Sequence, residues 1–245
     1  MRIRRGRIRL LEHHLDRLMR GCTRLGIAAP AVRELRRELG AAAEGRREGV
    51  LKLIVTRGLS RLRGYRPAGD ERCTRILTRH PLPPGALSTG GTPVRVRMCA
   101  TQIGLNPSLA GLKTLNRLES VLARGEWRDA RIWEGLMQDV DENIVCGTMS
   151  NLFVRRGSNL LTPVLDRCGV AGVMRRWVME TAGGIGLRAA ERSIRWRDVR
   201  EADEVFMSNA VVGLKSVAVI ERGRERLRPL GGDAANALRA RLDVL

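Results

Sequence analysis

Aromatic side chains make up only 3% of this 245-residue sequence: one tyrosine, two phenylalanines and four tryptophans. Surfaces that bind single-stranded nucleic acid depend on stacking rings, so the scarcity argues against one. The five cysteines (Cys22, Cys73, Cys99, Cys146, Cys168) have no CxxC spacing, and the three histidines (His13, His14, His80) form no HExxH pattern. Neither a zinc site nor a disulfide framework is supported, and an odd cysteine count suits a reducing compartment. No run approaches the roughly 18 to 20 apolar residues that span a bilayer. The opening MRIRRGRIRLLEHH leads into an amphipathic helix without a signal-peptide core, so the expected location is cytoplasmic. Lysine is the most telling shortage: of 45 basic residues only Lys52, Lys113 and Lys215 are lysines. Arginine serves wherever a positive charge suffices, but an imine with an aldehyde needs an amine that can lose its proton. Any Schiff-base chemistry here therefore has three candidate residues.

What is abundant is arginine, and the net charge is +19. A balance of that kind raises nucleic acid as a partner. The basic residues are spread over the whole length, however, and no zinc-finger, RNA-recognition or helix-turn-helix signature accompanies them. The length and the 43% hydrophobic content fit one large domain or two modest ones.

Along the chain, Leu11, Leu15, Leu18, Cys22 and Leu25 share one helical face, and Val32, Leu35 and Leu39 repeat the pattern after Pro30. VLKLIVTRG (50–58) and RILTRH (75–80) read as strands, so the first third mixes α and β. The Pro- and Gly-rich HPLPPGALSTGGTP (80–93) is the best linker candidate. This divides the chain into a small domain over 1–85, a linker over 86–93 and a large domain over 94–245. In the large domain the pattern predicts a strand at VRVRMCATQIG and a helix over about 113–126. Strands at EGLMQDV and IVCGTMSNLFV flank the turn residues Asp141, Glu142 and Asn143. A helix beginning near Gly172 stops at Gly183-Gly184, strands follow at ADEVFMSN and LKSVAVIERGR, and a last helix covers about 233–243.

LAGLKTLNRLESVLA (109–123) sets Lys113 among Leu109, Ala110, Leu112 and Leu115. At the opening of an apolar helix such a lysine would be desolvated, which lowers its pKa and favours the nucleophilic amine. Gly111, Leu112, Lys113, Leu115, Asn116, Arg117, Leu118 and Glu119 also match the lysine motif of a known family. The likeness continues in order through VTRGLSRLRGYRP (55–67), GTMSNLF (147–153), CGVAGVMR (168–175) and ADEVFMSNA (202–210), and begins at RIRLLEHHLDRL (7–18). On these motifs the sequence resembles the aminodeoxychorismate lyases, within the fold-type-IV, pyridoxal-phosphate-dependent enzymes of class-IV aminotransferase type.

That resemblance implies a two-domain α/β (α+β) fold like that of D-amino acid aminotransferase, a homodimer, and pyridoxal 5'-phosphate (PLP) as cofactor. It implies conversion of 4-amino-4-deoxychorismate to 4-aminobenzoate and pyruvate in folate biosynthesis. Lys113 would hold the cofactor as a Schiff base and shuttle the proton. Arg17 matches the family's phosphate-binding arginine, where a charge-assisted pair is expected. Gly172, Val173 and Met174 would offer their amides to the same phosphate, a use that a Gly-containing turn before a helix also suggests on physical grounds. Asn209 and Ala210 would approach it from the MSNA turn. Arg63 and Tyr65, in the RLRGY loop, match positions facing the substrate, and an arginine fork suits a carboxylate.

Two departures bear on activity. Where the family pairs a glutamate with the ring nitrogen of the cofactor, this sequence has Cys146. A thiol with a reference pKa of about 8.5 is mostly neutral at pH 7 and a poor substitute. The family's leading segment, resembling DRGLAYGDGLFET, has no counterpart, which implies either a start further upstream or a small domain lacking its first strands. Two other readings therefore stand beside the lyase: a branched-chain or D-amino acid aminotransferase of the same fold, and a catalytically impaired relic.

Overall fold

A computed structural model describes residues 1–83, 86 and 92–244. The chain divides into two compact units, Met1–Ala86 and Leu87–Leu245. Most of the 86–93 segment read as a linker lies outside the described residues.

In the smaller unit, strands β1 (Arg2–Arg4) and β2 (Arg7–Ile8) precede helices α1 (Leu11–Leu25) and α2 (Val32–Ala43), followed by strands β3 (Glu48–Thr56) and β4 (Thr74–His80). The sheet order is β2-β1-β3-β4. The N-terminus thus forms two short strands before the helix, where the sequence reads as entering a helix directly. The alternation of Ile3 between arginines is the period-two signal, with only Ile3 fully buried. Ile3, Leu15, Leu35, Leu39, Ala43 and Leu51 make one core. Each large aliphatic side chain buried there stabilises by about 1.5–3 kcal/mol. Arg57, just past β3, donates to Gly26 O (2.6 Å) and Leu25 O (2.5 Å), satisfying carbonyls that the end of α1 leaves open.

His14 on α1 is buried, and its Nε2 has no hydrogen-bond partner. Burial, reinforced by the chain's amino terminus, Arg17 and His13, pushes its pKa down to about 2. Between that value and 6.5 the unfolded chain binds a proton that the folded chain refuses, so stability falls as the pH drops below 6.5. We expect about 2 kcal/mol to be lost between pH 6.5 and pH 5. Urea unfolding at both pH values should show this slope in the native sequence and lose it in His14→Phe; equal slopes would mean the imidazole is protonated in the fold.

In the larger unit the elements are β5 (Val94–Met98), α3 (Leu118–Arg124), β6 (Ile132–Gln138), β7 (Ile144–Gly147), β8 (Asn151–Arg156), β9 (Asn159–Pro163), α4 (Val173–Thr181), β10 (Arg188–Arg192), α5 (Trp196–Arg200), β11 (Glu204–Asn209), β12 (Gly213–Arg222), β13 (Glu225–Leu227) and α6 (Asp233–Leu242). One nine-stranded sheet runs β10-β9-β8-β11-β12-β5-β6-β7, with β13 beside β12. The pairs β9/β10, β5/β12 and β5/β6 are parallel and the rest antiparallel. One core collects Val96, Leu136, Leu152, Val154, Val205, Met207 and Val217. Phe153 and Phe206 stack at 4.9 Å, an arrangement worth about 0.5–1.5 kcal/mol beyond burial.

Two expectations are corrected. IVCGTMSNLFV is two strands rather than one, because residues 148–150 turn between β7 and β8. The helix expected over 113–126 begins only at Leu118, because Gly111 takes a positive φ of 76° and bridges Val170, which helical residues cannot do.

Candidate active site

Lys113 lies between Gly111 and the start of α3, outside any helix or strand, and is exposed. Its apolar neighbours divide: Ala110 and Leu112 are buried, whereas Leu115 is 65% exposed. The desolvation that the leucine-rich spacing suggests is therefore absent in this fold. Lys52 is an exposed residue of β3. Lys215, on β12 opposite Met207, is the buried lysine, and burial followed by the charge of Arg239 lowers its pKa.

The segment carrying Lys113 is stitched to the loop before α4. Gly111 N donates to Gly169 O (3.1 Å) and Ala171 N donates to Gly111 O (3.0 Å). Two motifs far apart in sequence, LAGLK and CGVAG, become one hydrogen-bonded unit. Asn151, at the start of β8, adds a third strand of the stitching: its Nδ2 donates to Val170 O (2.8 Å).

At the end of that loop Gly172 is the N-cap of α4 and brings no side-chain cap. The first amides of a helix have no intrahelical partner, and the helix dipole adds positive potential there. A Cβ at Gly172 would collide with Asn151 Oδ1, so a side chain there displaces either the loop or the Asn151 amide. We expect Gly172→Ala to cost about 1–3 kcal/mol and to weaken phosphate binding at the α4 N-terminus by about tenfold. Thermal melts and a phosphate titration check both, and an unshifted melt would show that Asn151 simply moves aside.

Asn209 and Ala210 lie where β11 ends, and Ser208 pairs with Asn151 in register. The MSNA turn therefore stands beside the Asn151 end of β8. Asn209 Oδ1 accepts from Val211 N and Val212 N, both at 2.9 Å. Its oxygen thus shapes the turn, and its remaining donors are what a ligand could use.

Cys146 is on β7 opposite Met137. Its thiol is pushed up to about 12, chiefly by burial, with Glu134 and Cys168 adding and Arg117 opposing. It is a neutral thiol at physiological pH and cannot act as a carboxylate substitute. The carboxylates of Asp141 and Glu142 lie in the β6–β7 turn, where Asp141 pairs with Arg167 at 2.5 Å.

The sequence reading missed Glu134. This carboxylate is 0% exposed and accepts from Gly135 N (3.0 Å), Thr148 N (3.1 Å), Thr148 Oγ1 (2.5 Å), Met149 N (3.2 Å) and Ser150 Oγ (2.6 Å). It holds the turn that joins Cys146 to Asn151. An acidic residue inside the strand IWEGLMQ is the one signal that pointed to it.

The other expected residues belong to the smaller unit. Arg17 is half-buried on α1, and burial followed by Arg20 lowers its pKa to about 10. It remains charged at neutral pH, and a cation held partly out of water is stabilised by an anion. Arg63 and Tyr65 lie in an exposed loop, with Tyr65 fully open to solvent. A cavity lined in part by Asp139, Asn143, Arg167, Cys168 and Ile194 contains neither Lys113 nor the 172–174 amides.

A family model described as amino-transferase class IV matches residues 1–220. An aminodeoxychorismate lyase from Vibrio harveyi is 29% identical over 232 residues, 94% of this chain and 85% of that protein. A putative branched-chain-amino-acid aminotransferase from Methanocaldococcus jannaschii is 28% identical over 221 residues, 88% of this chain and 75% of that protein. Among solved structures, 4-amino-4-deoxychorismate lyase from Pseudomonas aeruginosa superposes with a TM-score of 0.90 at 44% identity, covering 99% of this chain and 88% of that one. A hypothetical aminotransferase from Mycobacterium tuberculosis in a PLP-bound form shares the fold, with a TM-score of 0.83 at 20% identity over 99% of this chain and 86% of that one.

Proposed function

Because this chain belongs to the class IV aminotransferase family, we propose that it is a PLP-dependent lyase converting 4-amino-4-deoxychorismate to 4-aminobenzoate and pyruvate, a step toward folate. The observation that carries the reading is the stitching of the Lys113 segment to the loop before α4. It ties the backbone that carries an amine to the loop leading into a helix N-terminus suited to a phosphate.

The residues present fit such a cofactor. The uncapped amides of α4, with a glycine cradle that a Cβ would fill, suit the phosphate, and Asn209 and Ala210 lie on the adjoining turn. Arg17, on the smaller unit, is the arginine the resemblance assigns to the same phosphate. PLP, when bound, supplies an aldehyde for amines and a ring that accepts electrons. Lys113 Nζ anchors it and carries the proton taken from the substrate's ring carbon. By the resemblance, Arg63 and Tyr65 would take the substrate's carboxylate. Pyruvate leaves as the substrate ring becomes aromatic, and that gain in stability is a driving force that amine transfer lacks.

Cys146 bears on this difference. We expect Cys146→Glu to change lyase turnover by less than about tenfold. A gain of orders of magnitude would show that the natural site is impaired, as the relic reading requires.

The activity is tested by mixing the purified, PLP-loaded protein with each substrate type. Pyruvate release without an amino acceptor supports the lyase, and keto-acid-dependent amine transfer supports the aminotransferase that the M. jannaschii relative favours. We place the protein in the cytoplasm as a homodimer; among the described residues no helix is long and apolar enough to cross a membrane. Leu115, Leu118, Val121 and Leu122 are each 64–78% exposed on and before α3, an apolar face that a second copy would cover. Light scattering on the purified chain reads the oligomer.

A further inference from the structure

The segment between Gly111 and Leu118 is in neither a helix nor a strand, so nothing in regular secondary structure fixes the backbone that carries Lys113. Its N-terminal side is held by the Gly111 bridge. Its C-terminal side is held by one guanidinium. Arg117 Nη2 donates to Leu112 O at 3.0 Å, and its Nε and Nη2 reach Thr114 O and Thr114 Oγ1 at 3.4 and 3.5 Å. Leu112 and Thr114 flank Lys113, so a single planar fork spans the lysine and ties the carbonyl on either side of it. Ammonium, a point charge on a flexible stem, could not make that span in one geometry.

Arg117 is also the N-cap of α3. Helix starts favour Ser, Thr, Asp or Asn, and the helix dipole disfavours a cation there. A guanidinium placed against that preference is accounted for by the carbonyls it binds, not by the helix it precedes.

We infer that Arg117 is a positioning residue that fixes the backbone of Lys113 and so aims its amine. The inference rests on the reading of Lys113 as the cofactor-bearing amine, and its test separates the two. Amide exchange is measured on the PLP-free chain for Arg117→Ala and Arg117→Lys, with and without millimolar guanidinium ion. Exchange at residues 112–116 should accelerate by about tenfold in both variants, and added guanidinium should reverse it in Arg117→Ala. The rate at which PLP is trapped on Lys113 by borohydride should fall with the same pattern and the same rescue.

Unchanged exchange at 112–116 would overturn the inference. So would acceleration spread over the whole larger unit, which marks a general packing role, or trapping that stays fast while exchange rises. If the natural chain traps no PLP on Lys113, the function proposed above and the aiming role fail together. A local, guanidinium-reversible exchange change in that case would still identify the clamp as a feature of the fold.

Discussion

Lys113→Ala is expected to lower lyase turnover by about 10³-fold or more, because it removes the proton carrier and the anchoring amine together. Borohydride reduction in the presence of PLP should then leave the 109–117 peptide unlabelled. The fold makes this a real contest among the three lysines. On burial alone Lys215 has the better claim, since it is enclosed and its pKa is lowered by desolvation and Arg239, the condition under which lysines become nucleophilic. Geometry favours Lys113, because its segment alone is hydrogen-bonded to the loop that ends in the uncapped α4 amides. Proximity to a bound phosphate-bearing aldehyde is worth more than a favourable pKa alone. Peptide mapping decides: label on the peptide containing Lys215, surviving in Lys113→Ala, would sink the present assignment.

The second large effect is on stability. Glu134→Gln should destabilise the larger unit by about 2–4 kcal/mol, and Glu134→Ala by more. Five donors converge on this fully buried carboxylate. Glutamine turns one accepting oxygen into a donor facing other donors, and alanine removes the acceptor of all five, leaving Gly135 N and Ser150 Oγ buried without it while Thr148 N keeps Gly135 O. For a unit of this size the glutamine variant should melt lower by about 5–15 °C. PLP affinity should fall with it, because the turn that Glu134 holds leads directly into Asn151 and its bond to Val170. A melting temperature within about 2 °C of the natural chain would mean that the donors find other acceptors.

Local signals were read well where they are periodic. The apolar faces of α1 and α2 and the branched runs of β3 and β4 follow from residue spacing. The glycine-led start of α4 was visible because Gly-x-small before a helical pattern has a backbone cause. Spacing misled at Lys113. LAGLKTLNRLE has the composition of a helix, yet residues 112–117 form neither helix nor strand, because Gly111 gives its backbone N–H and C=O to Gly169 and Ala171. The opening strands β1 and β2 were missed because they are three and two residues long, too short to show alternation, and exist by pairing with β3.

The sequence by itself determined which amines exist, that arginine elsewhere could not replace them, and that several motifs stand in one family order. These are properties of residue identity, which folding does not change. Only the tertiary structure decided which lysine is exposed on a segment bonded to the loop before α4 and which is buried, what a side chain at position 172 would meet, and which donors the carboxylate of Glu134 holds. Each of those depends on groups brought together across long stretches of chain. No local propensity encodes such contacts, because the hydrogen bonds that fix them have no partner within reach until the sheet has formed.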